Sequence, residues 1–599
     1  MQQTTAKNIP ATYQLTDTVS WMNRRHTFKG GINIFAEQPN IRRIPYGAHG
    51  NFQFPGTYTT QAYADFLLGI PDQTRVAGIN PPMYMRSTNY GLFFQDDYKA
   101  PGNLTLNLGL RWDYQGPIYN KNDALYNFDL ASGSLIKATP KTPVNAAFRA
   151  RYPRVPIVEA RAAWLPERNL HFADLNNFAP RIGFAWQPGR LANFVVRGGW
   201  TKFTDIIGQG VFQQFAGGGN GAFLTYASNS YPNGRPVNNI MPATAFRFPY
   251  PFPATFGVAA PPSLAASGFN PHLANPYVQQ WNLTLEQAVF GTSLRVSYVG
   301  TKSTNLVYRR DINQRITAGN NASRPYTAFG FGSNIDYMDN GGSQMYHGLQ
   351  LKAEKRLQKG LMFQGGYVWG NNISDVIDGS DTDYTGIATD ARNRAIDRGR
   401  IGYSRQHNLT GTAIWELPFG RGHRLLRQAP GWLHRIVSGW QLYPQFFSAS
   451  GQWFTARRQG NNPFTNLADD TARADRVGSG NDGPKQTGTS VAKWINTAAF
   501  AQPAATALGN AGRNILEGPG LWSLHLGLTK KIRFREGKEL WLSLTSQNML
   551  NHPNWATPSA SGEVTVGQAA FGSTSTLLGQ DRGAYATSRW VLLRGRIVF

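Results

Sequence analysis

Apolar and polar residues alternate along many segments of the chain, and a period of two is typical of β-strands whose two faces meet different surroundings. The clearest segment is 105–114, in which every second residue is Leu, Trp or Tyr, and the residues between them are Thr, Asn, Gly, Arg and Asp. The pattern recurs over 277–286, 294–298, 347–354, 361–369, 522–529 and 540–545. We count about fifteen such segments and no long helical pattern. The pattern predicts an all-β fold.

The connections between these segments are of two kinds. Short turns are predicted at Pro101–Gly102, Pro188–Gly189, Phe290–Gly291, Lys359–Gly360 and Glu536–Gly537. Long polar stretches rich in Gly and Pro cover 115–176, 205–275, 303–343, 371–404, 454–519 and 552–587. Short turns at one end and long loops at the other are typical of outer-membrane barrels, whose long loops are extracellular. We therefore expect a large antiparallel transmembrane β-barrel whose apolar strand face contacts lipid.

Composition agrees with such a barrel. Charged residues make up only 16%, aromatic residues 13%, and no apolar run approaches the length of about 20 that a transmembrane helix needs. The mean hydropathy of -0.39 fits barrel strands, which need only about 9–11 alternating residues. Without cysteine the chain has no disulfide or thiolate site. Residues 1–30 show no signal peptide, although export would require one, so we expect the true N-terminus to be missing.

The formal net charge of +25 raises the question of an anionic partner. Several arginines lie at polar positions of the predicted strands, where they would face the lumen and contact an acidic plug or an anionic substrate: Arg111, Arg181, Arg197, Arg295 and Arg596. Nucleic-acid binding would instead call for a clustered basic stripe on a recognisable reader fold, and we see neither. We therefore expect no nucleic-acid partner.

No catalytic motif stands out, so we expect neither an enzyme nor a cofactor. An acidic loop offers weak calcium candidates at Asp375, Asp378, Asp381 and Asp383, but the spacing lacks EF-hand order, and a solvated extracellular loop is the simpler interpretation. Aromatic residues in another loop could stack on a ligand, or belong to loop packing or an interfacial girdle: Phe246, Phe248, Tyr250, Phe252 and Phe256.

The last residues form an alternating strand that ends in phenylalanine. Val591, Leu593, Ile597 and Phe599 share one face, with arginines on the other. A terminal Phe on such a strand is similar to the signal that barrel-assembly machinery reads in outer-membrane proteins. A plain last strand would show the same pattern.

Several short sequence segments, taken together, resemble those of TonB-dependent receptors of the Oar-like type. The resemblance extends from about Trp21 to Phe599. The segments include Phe66-Leu67-Leu68-Gly69, Phe93-Phe94-Gln95-Asp96-Asp97-Tyr98, Asn177-Phe178-Ala179-Pro180-Arg181, Pro276-Tyr277-Val278-Gln279-Gln280-Trp281-Asn282, Leu417-Pro418-Phe419-Gly420 and Gln547-Asn548-Met549-Leu550-Asn551-His552-Pro553. The resemblance implies TonB-energised uptake of an unidentified extracellular ligand across the cell outer membrane, with outer-membrane lipid and the assembly machinery as partners.

The chain departs from that family at its start. We see no sign in the sequence of the family's signal peptide, regulatory-like domain, TonB box or plug. We therefore interpret residues 1–599 as one barrel domain, incomplete on its N-terminal side. TonB would then act only through a plug that this chain lacks. Two alternatives stay open: a passive outer-membrane pore or non-functional fragment, and a soluble extracellular β-rich glycan-binding protein.

Overall fold

The fold is that of a computed structural model. It describes residues 6–43, 51–77, 83–144, 148–149, 152–189, 191, 193–208, 212, 224–228, 264–377, 386–421, 424–467, 470–485, 492–535, 537–578 and 588–599. All statements below concern these residues.

One continuous sheet dominates the molecule. Twenty of the described strands belong to it, and apart from five short ones they are long strands that follow each other as antiparallel neighbours. These fifteen wall strands are β1 Thr12–Asn23, β2 His26–Glu37, β3 Met83–Ala100, β4 Leu104–Gln115, β5 Phe178–Trp186, β6 Phe194–Thr204, β7 Tyr277–Val289, β8 Thr292–Asp311, β9 Ile335–Gln358, β10 Leu361–Ser374, β11 His407–Glu416, β12 Trp440–Ala449, β13 Leu521–Arg535, β14 Lys538–Gln547 and β15 Trp590–Val598. The predicted all-β antiparallel architecture is confirmed.

The remaining elements are short. Further strands are Ala6–Ile9, Asn40–Arg43, Asn51–Gln53, Gln73–Ala77, Tyr119–Asn120, Tyr126–Asp129, Ser134–Lys137, Ile157–Glu159, Leu224–Ser228, Ala266–Phe269, Gly399–Arg400, Trp453–Phe454, Asp475–Arg476, Ala492–Lys493, Phe500–Ala501, Leu516–Glu517 and Ser573–Thr574. The helices are α1 Ala62–Leu67, α2 Gly431–Val437 and α3 Ser561–Val564. Short 3-10 turns are Ala160–Ala163, Asn321–Ser323, Thr327–Phe329, Arg394–Asp397 and Thr497–Ala499. None of the helices in the described part is long and apolar enough to cross a membrane.

The register of the wall separates an apolar outer face from a polar inner face. One outer row crosses six strands through directly paired residues: Val196, Leu285, Val296, Leu351, Tyr367 and Leu409. The row beside it faces inward: Arg197, Thr284, Ser297, Gln350, Val368 and Asn408. The leucines of this row and Val296 are exposed rather than packed on a second layer, and Val196 is partly exposed. Exposed apolar side chains in an unbroken row are what a lipid-facing barrel surface requires.

The strands reach further into the predicted loops than alternation indicated. The stretch 303–343 was expected to be a loop, but β8 continues to Asp311 and β9 begins at Ile335. β8 has 20 residues, about twice the 9–11 that a tilted strand needs to cross a bilayer. The two strands therefore pair beyond the membrane and hold the remaining loop above it.

The long loops pack into hydrophobic cores of their own. One core joins residues from three of the predicted long stretches, including Leu125, Leu170, Phe269 and Met338. A second core joins the stretches 454–519 and 552–587 through Phe454, Phe500, Phe571 and others. The described parts of the loops are thus folded caps at one end of the wall.

The first and last wall strands are edges. Within the described residues, β1 pairs only with β2 and β15 only with β14. Every side chain of β1 is exposed.

Candidate functional site

Two arginines on the wall strands at either side of β7 share one carboxylate of β7 on the inner face. Arg295 Nη2 lies 3.1 Å from Glu286 Oε2, and Arg197 Nη1 lies 4.0 Å from the same oxygen. The three residues lie on β8, β7 and β6, so the contacts link three adjacent strands. All three side chains are partly exposed, and solvent weakens such pairs, so their main effect is on the charge of the inner face.

A third inner-face arginine forms a fork with a carboxylate on its own strand. Arg111 Nε donates to both Asp113 oxygens, at 2.8 and 2.9 Å. Gly91 is paired with Asp113 on the neighbouring strand, and a Cβ at Gly91 would lie only 2.2 Å from Arg111 Nη2. The absence of a side chain at Gly91 therefore makes room for the fork.

The register also places the other two predicted arginines on the inner face. Arg181 is paired with Gly109, beside Arg111. Arg596 is paired with Trp541, and its guanidinium carbon lies 5.7 Å from the indole centroid. All five arginines that alternation assigned to the lumen lie where it predicted.

A cavity of about 260 Å³ opens on the inner face beside the Arg111 fork, towards the long-loop end. Its lining combines amide and charged groups with a few apolar ones: Gln14, Asn33, Asn89, Arg111, Asp113, Gln115, Phe35 and Ile206. Sites for drug-sized ligands commonly measure about 300–1,000 Å³. This cavity is therefore slightly smaller than a typical site for a drug-sized ligand.

Buried ion pairs hold the loop caps together. Arg473 donates to Asp397, to Thr389 Oγ1 at 3.1 Å and to the Ile396 carbonyl at 2.6 Å. Burial raises the pKa of Asp397, and Arg473 together with hydrogen bonds from Thr389 opposes that rise. This pair ties the stretch 454–519 to the stretch 371–404. A second pair, Arg324 with Asp311 at 3.2 Å, closes the loop between β8 and β9.

No periodicity marked these buried residues in the sequence. Each lies in an irregular segment, and its partner is distant along the chain, as with the 76 positions between Asp397 and Arg473. Loop aspartates and arginines look alike in sequence whether they are solvated or buried. Only the tertiary contacts distinguish them.

The calcium candidates are only partly described. Asp375 Oδ1 accepts from the Ser343 backbone amide at 2.6 Å, and Asp375 Oδ2 lies 3.4 Å from Arg394 Nε. This carboxylate is therefore engaged by protein groups. Asp378, Asp381 and Asp383 lie outside the described residues, as does the whole aromatic set Phe246, Phe248, Tyr250, Phe252 and Phe256. In the part of the chain that is described, no cluster of three or more His, Asp or Glu side chains has metal-binding geometry.

The C-terminal residues lie as the alternation predicted. Val591, Leu593 and Ile597 project from the outer face of β15, and Phe599 follows its end. All four are more than half exposed, with Leu593 at 78% and Phe599 at 86%. They present an apolar stripe on an edge strand.

Aromatic and histidine side chains form a belt on the outer face near the long-loop end. Trp200 pairs with Trp281 across β6 and β7. Tyr298 Oη lies 2.7 Å from His347 Nδ1, and Tyr367 Oη lies 2.8 Å from His407 Nδ1. Amphipathic rings at one level of the outer face mark a membrane–water interface. The soluble alternative would pack these faces on each other and is not supported.

Comparisons with known proteins agree with this geometry. A family model described as "Outer membrane beta barrel domain" matches residues 1–589. A search of curated protein sequences gave no significant match. Solved structures with a similar fold include the outer membrane transporter YddB from Escherichia coli, at 10% identity and a TM-score of 0.49, covering 99% of this chain and 55% of YddB.

Two further structures are comparably distant. The ferripyoverdine receptor of Pseudomonas aeruginosa is 9% identical with a TM-score of 0.45, covering 100% of this chain and 49% of the receptor. The siderophore receptor PiuA from Acinetobacter baumannii is 8% identical with a TM-score of 0.42, covering 99% and 56%. The chain thus spans about half the length of these proteins. With its lipid-facing wall and the family match over nearly all residues, the chain belongs to the outer membrane β-barrel domain family and resides in the cell outer membrane.

Proposed function

We propose that the chain forms the wall and external loops of a TonB-dependent receptor and takes part in energised uptake of an extracellular ligand. The observation that carries the proposal is the basic inner face. Five arginines point to the inside of the wall, where an apolar wall around a confined space focuses their field: Arg111, Arg181, Arg197, Arg295 and Arg596. Such a surface calls for an acidic plug or an anionic ligand. The role is transport and binding, not catalysis.

The plug and the TonB contact belong to the parent receptor in this proposal. Outer-membrane transporters with plugged lumens have about 22 strands. The fifteen wall strands described here would supply part of such a lumen. Residues 1–599 would act as one barrel domain, and TonB would engage a plug that another part of the receptor provides.

We propose that the ligand binds at the long-loop end of the wall. There the caps are folded by buried ion pairs and hydrophobic cores, which gives a binding surface a fixed shape. We propose Phe246, Phe248, Tyr250, Phe252 and Phe256 as ligand contacts, because aromatic faces among prolines offer rigid stacking surfaces. Calcium at Asp378, Asp381 and Asp383 would order the neighbouring loop, with Asp375 as a fourth candidate.

Membrane insertion would use the apolar stripe at the C-terminus. We propose that Val591, Leu593, Ile597 and Phe599 are read by the barrel-assembly machinery, since they lie exposed on an edge strand that can pair with another strand.

A single pair of measurements tests the transport proposal. The first is the coding sequence upstream of the Met1 codon, where we expect an in-frame plug and TonB box. The second is conductance of the purified full chain in a planar lipid bilayer without any energised partner. When the upstream part is present together with the chain, we expect no steady conductance, because the plug blocks the lumen. In cells that carry both, uptake of the ligand should stop when the proton motive force is collapsed.

A passive pore is the second candidate, favoured by the polar inner face that the described wall strands share with porins. A stable, ohmic conductance of the chain by itself, with no upstream plug sequence, would replace the receptor proposal by the pore.

A further inference from the structure

The connection between β11 and β12 differs from the other connections at the short-turn end. Its neighbours there are tight turns such as Phe290–Gly291 and Lys359–Gly360. Residues 417–439 instead form a longer segment that contains α2, four arginines and no acidic residue: Arg421, Arg424, Arg427 and Arg435. We call residues 417–439 the basic arm. Residues 422–423 of the arm lie outside the described part.

The end of α2 is held against the outer face of the wall. Trp440 Nε1 donates to the Ile436 carbonyl at 2.8 Å, and Lys530 Nζ donates to the Ile436 carbonyl at 3.0 Å and to the Ser438 carbonyl. Trp440 and Lys530 are paired across β12 and β13. The next pair on the same side is Leu442 with Leu528, in the apolar outer row. A lysine at the C-terminal end of a helix also meets the negative end of its dipole.

Hydrogen bonds hold the segment that precedes α2 against the side of the helix that carries His434. The Arg421 backbone amide donates to His434 Nδ1 at 3.0 Å, and Arg421 Nε donates to the Ala429 carbonyl at 3.0 Å. His434 is half-buried by this contact, and no side chain of α2 is fully buried. The arm therefore has a defined inner side and a free outer side.

The outer side of α2 mixes apolar and cationic groups. Trp432 is 67% and Ile436 is 58% exposed, and positions four apart share one helix face. Arg435 is exposed beside them, while Leu425 and Leu426, also exposed, precede the helix. In water these apolar side chains would have no partner. An amphipathic, arginine-bearing segment with tryptophan at the apolar side is the composition of a helix that lies in a membrane interface.

We propose that the basic arm binds the headgroup region of the leaflet at the short-turn end and prefers anionic phospholipid. The C-terminal end of α2 adjoins the lipid-facing surface of the wall, and the charge of the arm is complementary to phosphatidylglycerol-like headgroups. Tryptophan and isoleucine insert beside the acyl chains, while Arg424 and Arg435 contact phosphates. The proposal rests on the membrane location of the barrel and is independent of whether the chain transports a ligand.

The lack of cysteine allows a clean reporter. Ile436→Cys introduces the only thiol in the chain, which can carry an environment-sensitive fluorophore. The full chain, extracted from outer membranes of expressing cells, is reconstituted in vesicles of phosphatidylcholine with phosphatidylglycerol. Quenching by headgroup-labelled phosphatidylglycerol is compared with quenching by headgroup-labelled phosphatidylcholine. A thiol at Val477, which is 67% exposed in a long loop, is the control position.

We expect lipid quenching at position 436, none at 477, and stronger quenching by the anionic lipid at 436. R424Q with R435Q in the same background should lower that preference by up to about fivefold for each arginine, an effect that added salt reproduces. R154Q with R161Q removes the same charge from exposed positions in a long loop and should leave the preference unchanged.

Two results would overturn the proposal. Free access of a water-soluble quencher to position 436 with no lipid quenching would place the arm in water, available to a protein partner. Equal quenching by both lipids, unaffected by R424Q and R435Q, would leave an apolar anchor without headgroup preference.

Discussion

Acidification should open the loop core around His171. This imidazole stacks on Phe212 with ring centroids 4.7 Å apart, lies edge-on to Phe269 at 6.1 Å, and its Nδ1 is 2.9 Å from the Asn169 carbonyl. The contact with a carbonyl requires the proton on Nδ1, so Nε2 is the atom that a second proton would occupy, inside an apolar core. Burial lowers the pKa of His171 to about 4, although the hydrogen bond to Asn169 favours the charged form.

The size of the effect follows from linkage. An opened loop has a His171 pKa near 6.5, so it takes up a proton at a pH where the closed loop does not. Stability of the closed loop is therefore complete above about pH 6.5 and falls as the pH drops towards 4. The difference between the two pKa values corresponds to about 3 kcal/mol in full, and to about 2 kcal/mol at a pH of roughly 5.

Hydrogen exchange measures this directly. Amides near Leu170 and His171 are followed from neutral pH to about pH 5, with rates corrected for the intrinsic effect of pH. A loss of about 2 kcal/mol corresponds to roughly thirtyfold faster exchange when the opening equilibrium sets the exchange rate. His171→Phe keeps the ring and removes the titration, so the slope should vanish in that variant. Acid sensitivity that is equal in both proteins, or absent in the native chain, would refute the reasoning.

Three further perturbations test the caps and the wall. Burial would raise the pKa of Glu563, but hydrogen bonds from Ser575, Ser559 and Ala560 outweigh it and lower the pKa. Glu563→Gln should therefore weaken the 552–578 cap by about 1.5–3 kcal/mol, seen as faster proteolysis there at neutral pH. The effect should shrink as the pH falls below the unfolded pKa of about 4.3 and disappear below the lowered pKa of the folded state. A Cβ at Gly451 would lie 1.8 Å from the Gly518 carbonyl oxygen, whereas Gly411 has nothing within 4 Å, so Gly451→Ala should lower the melting temperature and Gly411→Ala should not. Leu285→Arg places a charge on the lipid-facing side and should cost about 2–4 kcal/mol in urea unfolding from vesicles, while Thr284→Arg on the inner face should cost much less; equal losses would contradict the assignment of faces.

The wall could be predicted from sequence because apolar and polar residues alternate along its strands. In residues 105–114 the lipid-facing side and the inner side differ at every step, and a register shift of one residue would reverse them. The short turns were equally visible, since Gly291 and Gly360 adopt positive φ angles of 72° and 77° that favour glycine. The five lumen arginines followed directly from this alternation.

The caps could not be predicted in the same way. Asn127 forms hydrogen bonds with the backbone of Phe269, which is 142 residues away in the sequence. No local sequence pattern predicts such a contact. The outer ends of β8 and β9 lie in a stretch that the sequence predicts to be a loop, because residues beyond the membrane no longer alternate between lipid and lumen. Asp375 is a calcium candidate because other aspartates lie close to it in the sequence, and the structure adds that an arginine and a backbone amide engage its carboxylate. Acidic residues in irregular segments give no indication of their partners.

The number of wall strands has a topological consequence. Each wall strand runs opposite to the one before it, so in a series of fifteen the first and the last point the same way. Joining β1 directly to β15 would create a parallel seam in a cylinder that is otherwise antiparallel. Bacterial single-chain barrels have an even number of strands. The fifteen wall strands of the described residues can therefore close on themselves only through one parallel contact, and a wall with antiparallel contacts throughout would contain them together with an odd number of further strands.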